Sequence, residues 1–232
     1  MQLTSLMAIS PLDGRYQDKL AELRPLFSEY GLMKFRLTVE VRWLQFLAQH
    51  ANLPGLPPLS HHANDVLNGL IINFSEQDAE RVKHIERGIN HDVKAIEYYI
   101  KERIENNAEL NAIHEFIHFG CTSEDINNLS YGLTLNTARV QCILPGLDEL
   151  LLILRPMAHD YADLPMLSRT HGQPATPTTV GKEIANVIAR IQRQIEQLNN
   201  TPILGKLNGA TGNYNAFVST YPDVDWQLLS QN

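Results

Sequence analysis

Between Val180 and Leu198 an apolar side chain returns at helical spacing, through Val180, Ile184, Val187, Ile188, Ile191, Ile195 and Leu198. That period places them on one broad helical face, over roughly residues 178–199. Three other stretches behave alike. Leu32, Phe35, Val39, Trp43, Phe46 and Leu47 predict a helix that PGLPPLS at 54–60 ends, because proline removes an amide donor and restricts the residue before it. Val82, Ile85, Ile89, Val93, Ile96, Ile100 and Ile104 predict one helix over about 76–106, with Asn90, His91 and Asp92 as a polar cluster in its middle. Leu129, Leu133, Val140, Leu144, Leu147, Leu151 and Leu154 predict a helix from about 122 to 162, bent or divided at Pro145 and Pro156.

Apolar faces this broad predict an all-α protein, a large bundle or an oligomer built from bundles. The expected layout is a small helical N-terminal domain, residues 1–111, followed by part of a long-helix bundle, residues 112–232; the boundary lies where NNAELN thins the apolar pattern. Strict strand alternation and a glycine-rich turn between strand and helix are missing, which argues against a dinucleotide fold or a P-loop. The ending, LNGATGNYNAFVSTYPDVDWQLLSQN, offers no terminal helix to close the architecture. Poorly covered later helices and an incomplete chain are therefore expected.

A formal charge of -7 without clustered Lys and Arg argues against a nucleic-acid surface, although an anionic small molecule needs only one or two local positive groups. MQLTSLMAIS lacks the basic region and apolar core of a secretion signal. Even ILPGLDELLLILRPMA is too broken by charge and proline to span a bilayer. Cys121 and Cys142 make neither a disulfide framework nor a zinc set, so a reducing cytoplasm is the simplest setting and no metal is expected.

Four polar clusters could carry chemistry. In SPLDGRYQ, Arg15 and Tyr16 follow a Pro/Gly turn; they serve either as a surface ion pair and anchor or as donors to a phosphate. Asn90, His91 and Asp92 cannot all share one helical face, so His91 could meet a carboxylate or phosphate while Asp92 orients a neighbour. Without an HExxH or Cys/His set they make unconvincing metal ligands. EFIHFGCTSEDINN has a helix start at Thr122 and Ser123, with Asp125 placed to complete a capping box. Gly120 permits an unusual backbone angle or a close approach, and the free amides there suit either a plain cap or a docked anion. RTHGQPATPTTVGKE holds His171 and Gln173 in a turn stiffened by Pro174 and Pro177, with threonines as candidate caps. A restrained imidazole, with a reference pKa of about 6.5, suits proton transfer as well as an ordinary surface role.

Together with INHDVKAIEYYI and KLNGATGNYNA, these segments resemble the fumarase and argininosuccinate lyase superfamily across the whole chain. The histidine turn alone indicates only the superfamily. With SPLDGRY and NHDVK beside it, the chain is most similar to the adenylosuccinate lyase family, particularly its bacterial branch. The resemblance implies a cofactor-independent carbon-nitrogen lyase. It also implies mostly helical subunits of three domains, whose central bundles join as a homotetramer with active sites shared between subunits. The implied reaction is β-elimination of fumarate from adenylosuccinate, leaving AMP, and likewise from the succinyl-aminoimidazole carboxamide ribotide of purine biosynthesis.

Residue by residue, the resemblance makes Arg15 and Tyr16 phosphate contacts, and Asn90, His91 and Asp92 a second substrate segment. It makes Thr122 and Ser123 the holders of the succinyl or fumarate part, His118 an assisting group, Gln173 a substrate-orienting group and His171 the catalytic acid. The family base is a serine on a mobile glycine-rich loop that has no match in residues 1–232; Ser130, Ser168 and Ser219 are not its equivalents. Residues 1–232 alone are therefore expected to be inactive. Argininosuccinate lyase chemistry and a non-catalytic helical scaffold are the alternative readings.

Overall fold

A computed structural model describes residues 6–231. They are predominantly helical, with one two-stranded sheet. In chain order the elements are α1 (Arg24–Phe27), α2 (Glu29–His50), α3 (His61–Ile72), α4 (Glu76–Ile89), α5 (Asp92–Ile104), α6 (Ala108–Ala112), α7 (Ser123–Ala138), α8 (Leu144–Asp160), β1 (Pro165–Thr170), β2 (Gln173–Thr179), α9 (Val180–Asn200), α10 (Asn215–Thr220) and α11 (Trp226–Leu229). Among the described residues no helix is long and apolar enough to cross a membrane. The chain divides into two compact units: one runs up to Leu135 and resumes at Leu204, and the other is Asn136–Ile203.

In the first unit serines start three helices. Ser28 accepts from the Gly31 amide, Ser60 from Ala63, and Ser75 forms a reciprocal capping box with Asp78. The helices close over Leu37, Leu44, Leu47, Leu67, Val82, Ile96, Ile100 and Leu110. The single helix expected over 76–106 is two. Asn90 adopts a left-handed backbone (φ 55°) as the C-cap of α4, and His91 is the N-cap of α5. Asparagine tolerates that conformation and the imidazole satisfies a free amide, so the polar trio joins two helices. The apolar period survives the break because both helices face one core: Val82 comes from α4, Ile96 and Ile100 from α5.

The tail also departs from expectation. Phe217 on α10 and Trp226 on α11 are buried in this same core, with ring centroids 5.0 Å apart. Trp43 meets Phe217 edge-on and donates its indole N–H to the Phe119 carbonyl at 3.0 Å. Short helical turns with one large aromatic each carry too little periodicity to be read in advance. Gly120 admits this packing: its φ is +71°, and a Cβ there would lie 2.4 Å from the Phe217 ring. Both the unusual angle and the close approach anticipated at this glycine are present.

In the second unit, the turn expected around His171 is a β-hairpin. β1 and β2 pair antiparallel, with Arg169 opposite Pro174, Leu167 opposite Pro177 and a register shift between Leu167 and Arg169. In a two-stranded sheet each strand has an unpaired edge, so prolines are tolerated where a central strand would reject them. His171 (φ 51°) and Gly172 (φ 78°) form the connection, both left-handed as a tight hairpin turn requires. Thr179 caps α9 by accepting from the Lys182 amide at 3.2 Å. Before α8, residues Arg139–Ile143 form a π-helical turn in which the Leu144 N–H reaches back to the Arg139 carbonyl. The wider turn adjoins Pro145, whose missing N–H breaks the ordinary helical ladder. The Arg139 guanidinium caps the far end of α9, donating to the Leu198 and Thr201 carbonyls at 3.1 and 2.6 Å. Leu151 and Ile188 are buried, whereas Leu152, Ile153 and Val187 are exposed.

Asp78 ties the first turn of α4 to Tyr99 and Arg103 in the later half of α5. Burial acts to raise its pKa, but the Ser75 hydroxyl and amide, the Tyr99 hydroxyl and the Arg103 guanidinium outweigh that and lower it from an ordinary 3.8 to about 2. A depressed carboxyl contributes stability that is complete above its unfolded value and lost as pH falls through the folded one. The wild-type chain should therefore lose on the order of 2 kcal/mol through this group between pH 4 and pH 2, and Asp78→Asn should lack that component. Urea unfolding of both proteins across that interval checks it; parallel pH profiles would refute the assignment.

Candidate active-site segments

The N-termini of α5 and α7 bring two of the sequence clusters together. His91 Nδ1 accepts from the Lys94 amide at 3.1 Å, so a neutral ring carries its proton on Nε2, which lies 3.5 Å from the Ser123 hydroxyl. Asp92 pairs with Arg36 at 2.7 Å, and Arg36 Nε donates to Asn127 Oδ1 at 2.9 Å. One buried arginine from α2 thus ties the first turn of α5 to α7. Burial works to raise the Asp92 pKa, but the Val93 amide and the Arg36 charge bring it below the usual aspartate value.

The approach to α7 is set by two buried carboxylates. Glu40, fully buried in α2, accepts from or shares a proton with His118 Nδ1 at 2.6 Å. His118 itself is left-handed, at φ 62°. Asp125, also fully buried, uses one oxygen to accept from the Thr122 and Gly209 amides, at 2.9 and 3.1 Å. Its other oxygen accepts from the Asn208 amide at 3.1 Å and from Lys206 Nζ at 2.8 Å. The Thr122 contact is the backbone half of the expected capping box. Asn128 completes the clamp: its Oδ1 accepts from the Lys206 amide at 2.8 Å and its Nδ2 donates to the Lys206 carbonyl at 2.9 Å. The KLNG segment is thereby fixed against the start of α7.

The remaining candidates are placed differently. Arg15 and Tyr16 are exposed, the guanidinium 5.3 Å from the ring centroid; among the described residues no hydrogen bond or ion pair joins them to the clusters above. His171 and Gln173 are exposed on the hairpin of the second unit. Ser130 Oγ donates to the Ile126 carbonyl within α7, and Ser219 Oγ to Ala216, both local helix contacts.

Arg36, Glu40, Asn128 and Lys206 were not singled out from sequence. A signal existed for two: Arg36 and Glu40 stand four residues apart beside Leu37, Val41 and Leu44, a charged interruption of a core stripe. The partnership of Asp125 and Asn128 with residues about eighty positions away has no local signature.

The fold is mostly helical, and the lyase family pattern matches residues 14–231. The chain belongs to that family. Its relatives include the adenylosuccinate lyases of Haemophilus influenzae and of Escherichia coli strain K12, 59% and 57% identical over 231 residues, covering all of this chain and 51% of each relative. The chain spans about half the length of the curated relatives it matches. Among solved structures, the fumarate lyase of Mesorhizobium sp. BNC1 aligns with a TM-score of 0.70 at 19% identity, over 91% of this chain and 46% of that one. The 3-carboxy-cis,cis-muconate lactonizing enzyme of Pseudomonas putida aligns at 0.66 and 22% identity, over 86% and 44%. At such identities the likeness establishes the fold alone.

Asp125→Asn should release the clamp. One accepting oxygen becomes a donor facing donors, and Lys206 loses its ion pair, at a cost of about 2–4 kcal/mol. Hydrogen exchange at the Asn208 and Gly209 amides should accelerate more than exchange in α3. Unchanged protection at both amides would show that the clamp does not hold the segment.

Proposed function

We propose that the full-length protein is an adenylosuccinate lyase, with identity near 59% to a curated enzyme of that name as the observation that carries the reading. Its substrates would be adenylosuccinate and the succinyl-aminoimidazole carboxamide ribotide, its products fumarate with AMP or the corresponding carboxamide. No cofactor, nucleic acid or membrane is required. We infer a cytoplasmic homotetramer whose sites are shared between subunits, and domains divided at residues 111 and 112.

The chemistry has defined bond changes. A base takes the proton from the carbon beside one succinyl carboxylate; that electron pair forms the carbon-carbon double bond as the carbon-nitrogen bond breaks; the leaving nitrogen receives a proton. His171 is assigned as the acid. Its position in a two-residue hairpin turn supports this role, since β1 and β2 restrain the imidazole's backbone while its side chain stays exposed. Gln173, the first residue of β2, is assigned to orient substrate. In the first unit, Thr122 and Ser123 would hold the succinyl carboxylates, with their hydroxyls at the start of α7. Asn90, His91 and Asp92 would flank them, with His118 assisting. Arg15 and Tyr16 would take the phosphate. The proton-abstracting base is assigned to a serine outside residues 1–232.

Fumarate release from adenylosuccinate by the purified full-length protein tests the whole reading, and no release would sink it. His171→Ala should lower kcat by roughly 10²- to 10⁴-fold with helical content unchanged, the range for a lost general acid. Arg15→Ala should instead raise KM, by about tenfold or more for a lost charged contact to phosphate, with little change in melting temperature. Equal substrate affinity in the Arg15 variant would remove that residue from the site.

A further inference from the structure

Glu40 is an unusual group to find in this core. Its side chain has no exposed surface, and its Oε2 has no hydrogen-bond partner among the described residues. A buried carboxylate with one unsatisfied oxygen destabilises the fold. Its neighbours on the same stripe, Leu37 and Leu44, show what packing alone selects there.

Among the described residues the hydrogen-bond partner of the Glu40 carboxylate is His118, whose Nδ1 lies 2.6 Å from Oε1. That bond fixes the use of the imidazole. With Nδ1 committed to Glu40, Nε2 is the ring's remaining polar atom, on a side chain that keeps 20% of its surface exposed. His118 stands four residues before Thr122 and five before Ser123, on the turn leading into α7. A carboxylate–imidazole pair of this kind sets the ring's rotation and tautomer, and keeps a proton on Nδ1 whatever Nε2 does.

We propose that Glu40 is a positioning residue: it accepts the Nδ1–H of a doubly protonated His118, so that the Nε2–H of this imidazolium donates to an anionic oxygen of the ligand bound at the start of α7. This rests on the proposed lyase reading for the identity of that ligand, whose anionic groups are a carboxylate or the phosphate. The pair's proton inventory agrees with the geometry. Burial alone would lower the His118 pKa, but the hydrogen bond and charge of Glu40 reverse that and raise it above the ordinary imidazole value. Burial pushes the Glu40 carboxyl up against the pull of His118. Other groups face the pair: Glu97 on α5 acts on both members, Lys94 on α5 opposes protonation of His118, and Lys101 is ion-paired with Glu97. Cys121 stands near Glu40 as well, and burial together with the charges of Glu40 and Asp125 keeps its thiol protonated.

Glu40→Gln preserves shape and removes the charge; Glu40→Asp keeps the charge and shortens the reach. In residues 1–232, nitrogen-15 NMR of the histidine rings should show His118 titrating at lower pH in the Gln variant than in wild type, with the Asp variant between them. In full-length protein the Gln variant should raise KM roughly tenfold with kcat changed much less, and the alkaline limb of kcat/KM should move to lower pH. Titrations of the same proteins with fumarate and with AMP identify which anionic group His118 meets: the affinity that falls marks it. Unaltered titration of His118, or unaltered affinity for both ligands, overturns the proposal even if melting temperature shifts. Should the Gln variant not fold, the Asp variant carries the same measurements. Absence of adenylosuccinate turnover by wild type would count against the lyase reading alone, because the histidine titration and the two ligand titrations still decide the role of Glu40.

Discussion

A carboxylate without any contact to water holds the first unit together across its longest sequence gap. Asp125 gathers the amides of Thr122, Asn208 and Gly209 and the ammonium of Lys206. Such a group is stable inside a protein only when its lone pairs are met by well-placed donors, and here donors from two distant segments meet them. The consequence is topological. The chain leaves the first unit after Leu135 and returns at Leu204, and the first residues to return are those that Asp125 and Asn128 clamp. Phe217 and Trp226 follow within twenty residues and complete the aromatic core around Trp43 and Phe119. Gly120 is where the two requirements meet, since the turn before α7 leaves Phe217 room only without a side chain.

How much of this was legible depended on the range of the interaction responsible. The periods behind α2 and α9 are local and survive into the structure, whereas the single helix expected over 122–162 is α7, a π-helical turn and α8, which runs on through Pro156. Serine caps at Ser28, Ser60 and Ser75 also act over only three residues, although they are not singled out from the sequence. By contrast, the break at Asn90 is invisible to periodicity, because α4 and α5 both send apolar residues to one core and the stripe reads on through the junction. The hairpin of β1 and β2 reads in the sequence as a stiff turn, because three prolines in two short strands suppress the strand signal. The residues that ended it, His171 and Gly172, were visible; a two-residue connection ending in glycine was the available clue to a hairpin.

The candidate site shows the same division. His91, His118, Thr122, Ser123 and His171 could be named because each stands in a short stretch dense with polar groups. Their supports could not, since Arg36 and Glu40 lie on α2, far away in sequence. Only the presence of two charges on an otherwise apolar stripe hinted at them.

That arrangement has a physical logic beyond either helix alone. Three buried charged side chains hold the polar segments: Arg36 holds Asp92 and Asn127, Glu40 holds His118, and Asp125 holds Thr122 and the KLNG segment. Burial strengthens each contact by excluding the water that would compete for it. It also leaves a large penalty for any alternative geometry, because a displaced partner would strand a charge in the core. Apolar packing at these positions would stabilise the fold at least as well, but it would let His118 rotate and the α7 approach drift. Buried charge trades stability for fixed direction, and it does so here beneath the segments that the family reading makes responsible for holding an anionic substrate.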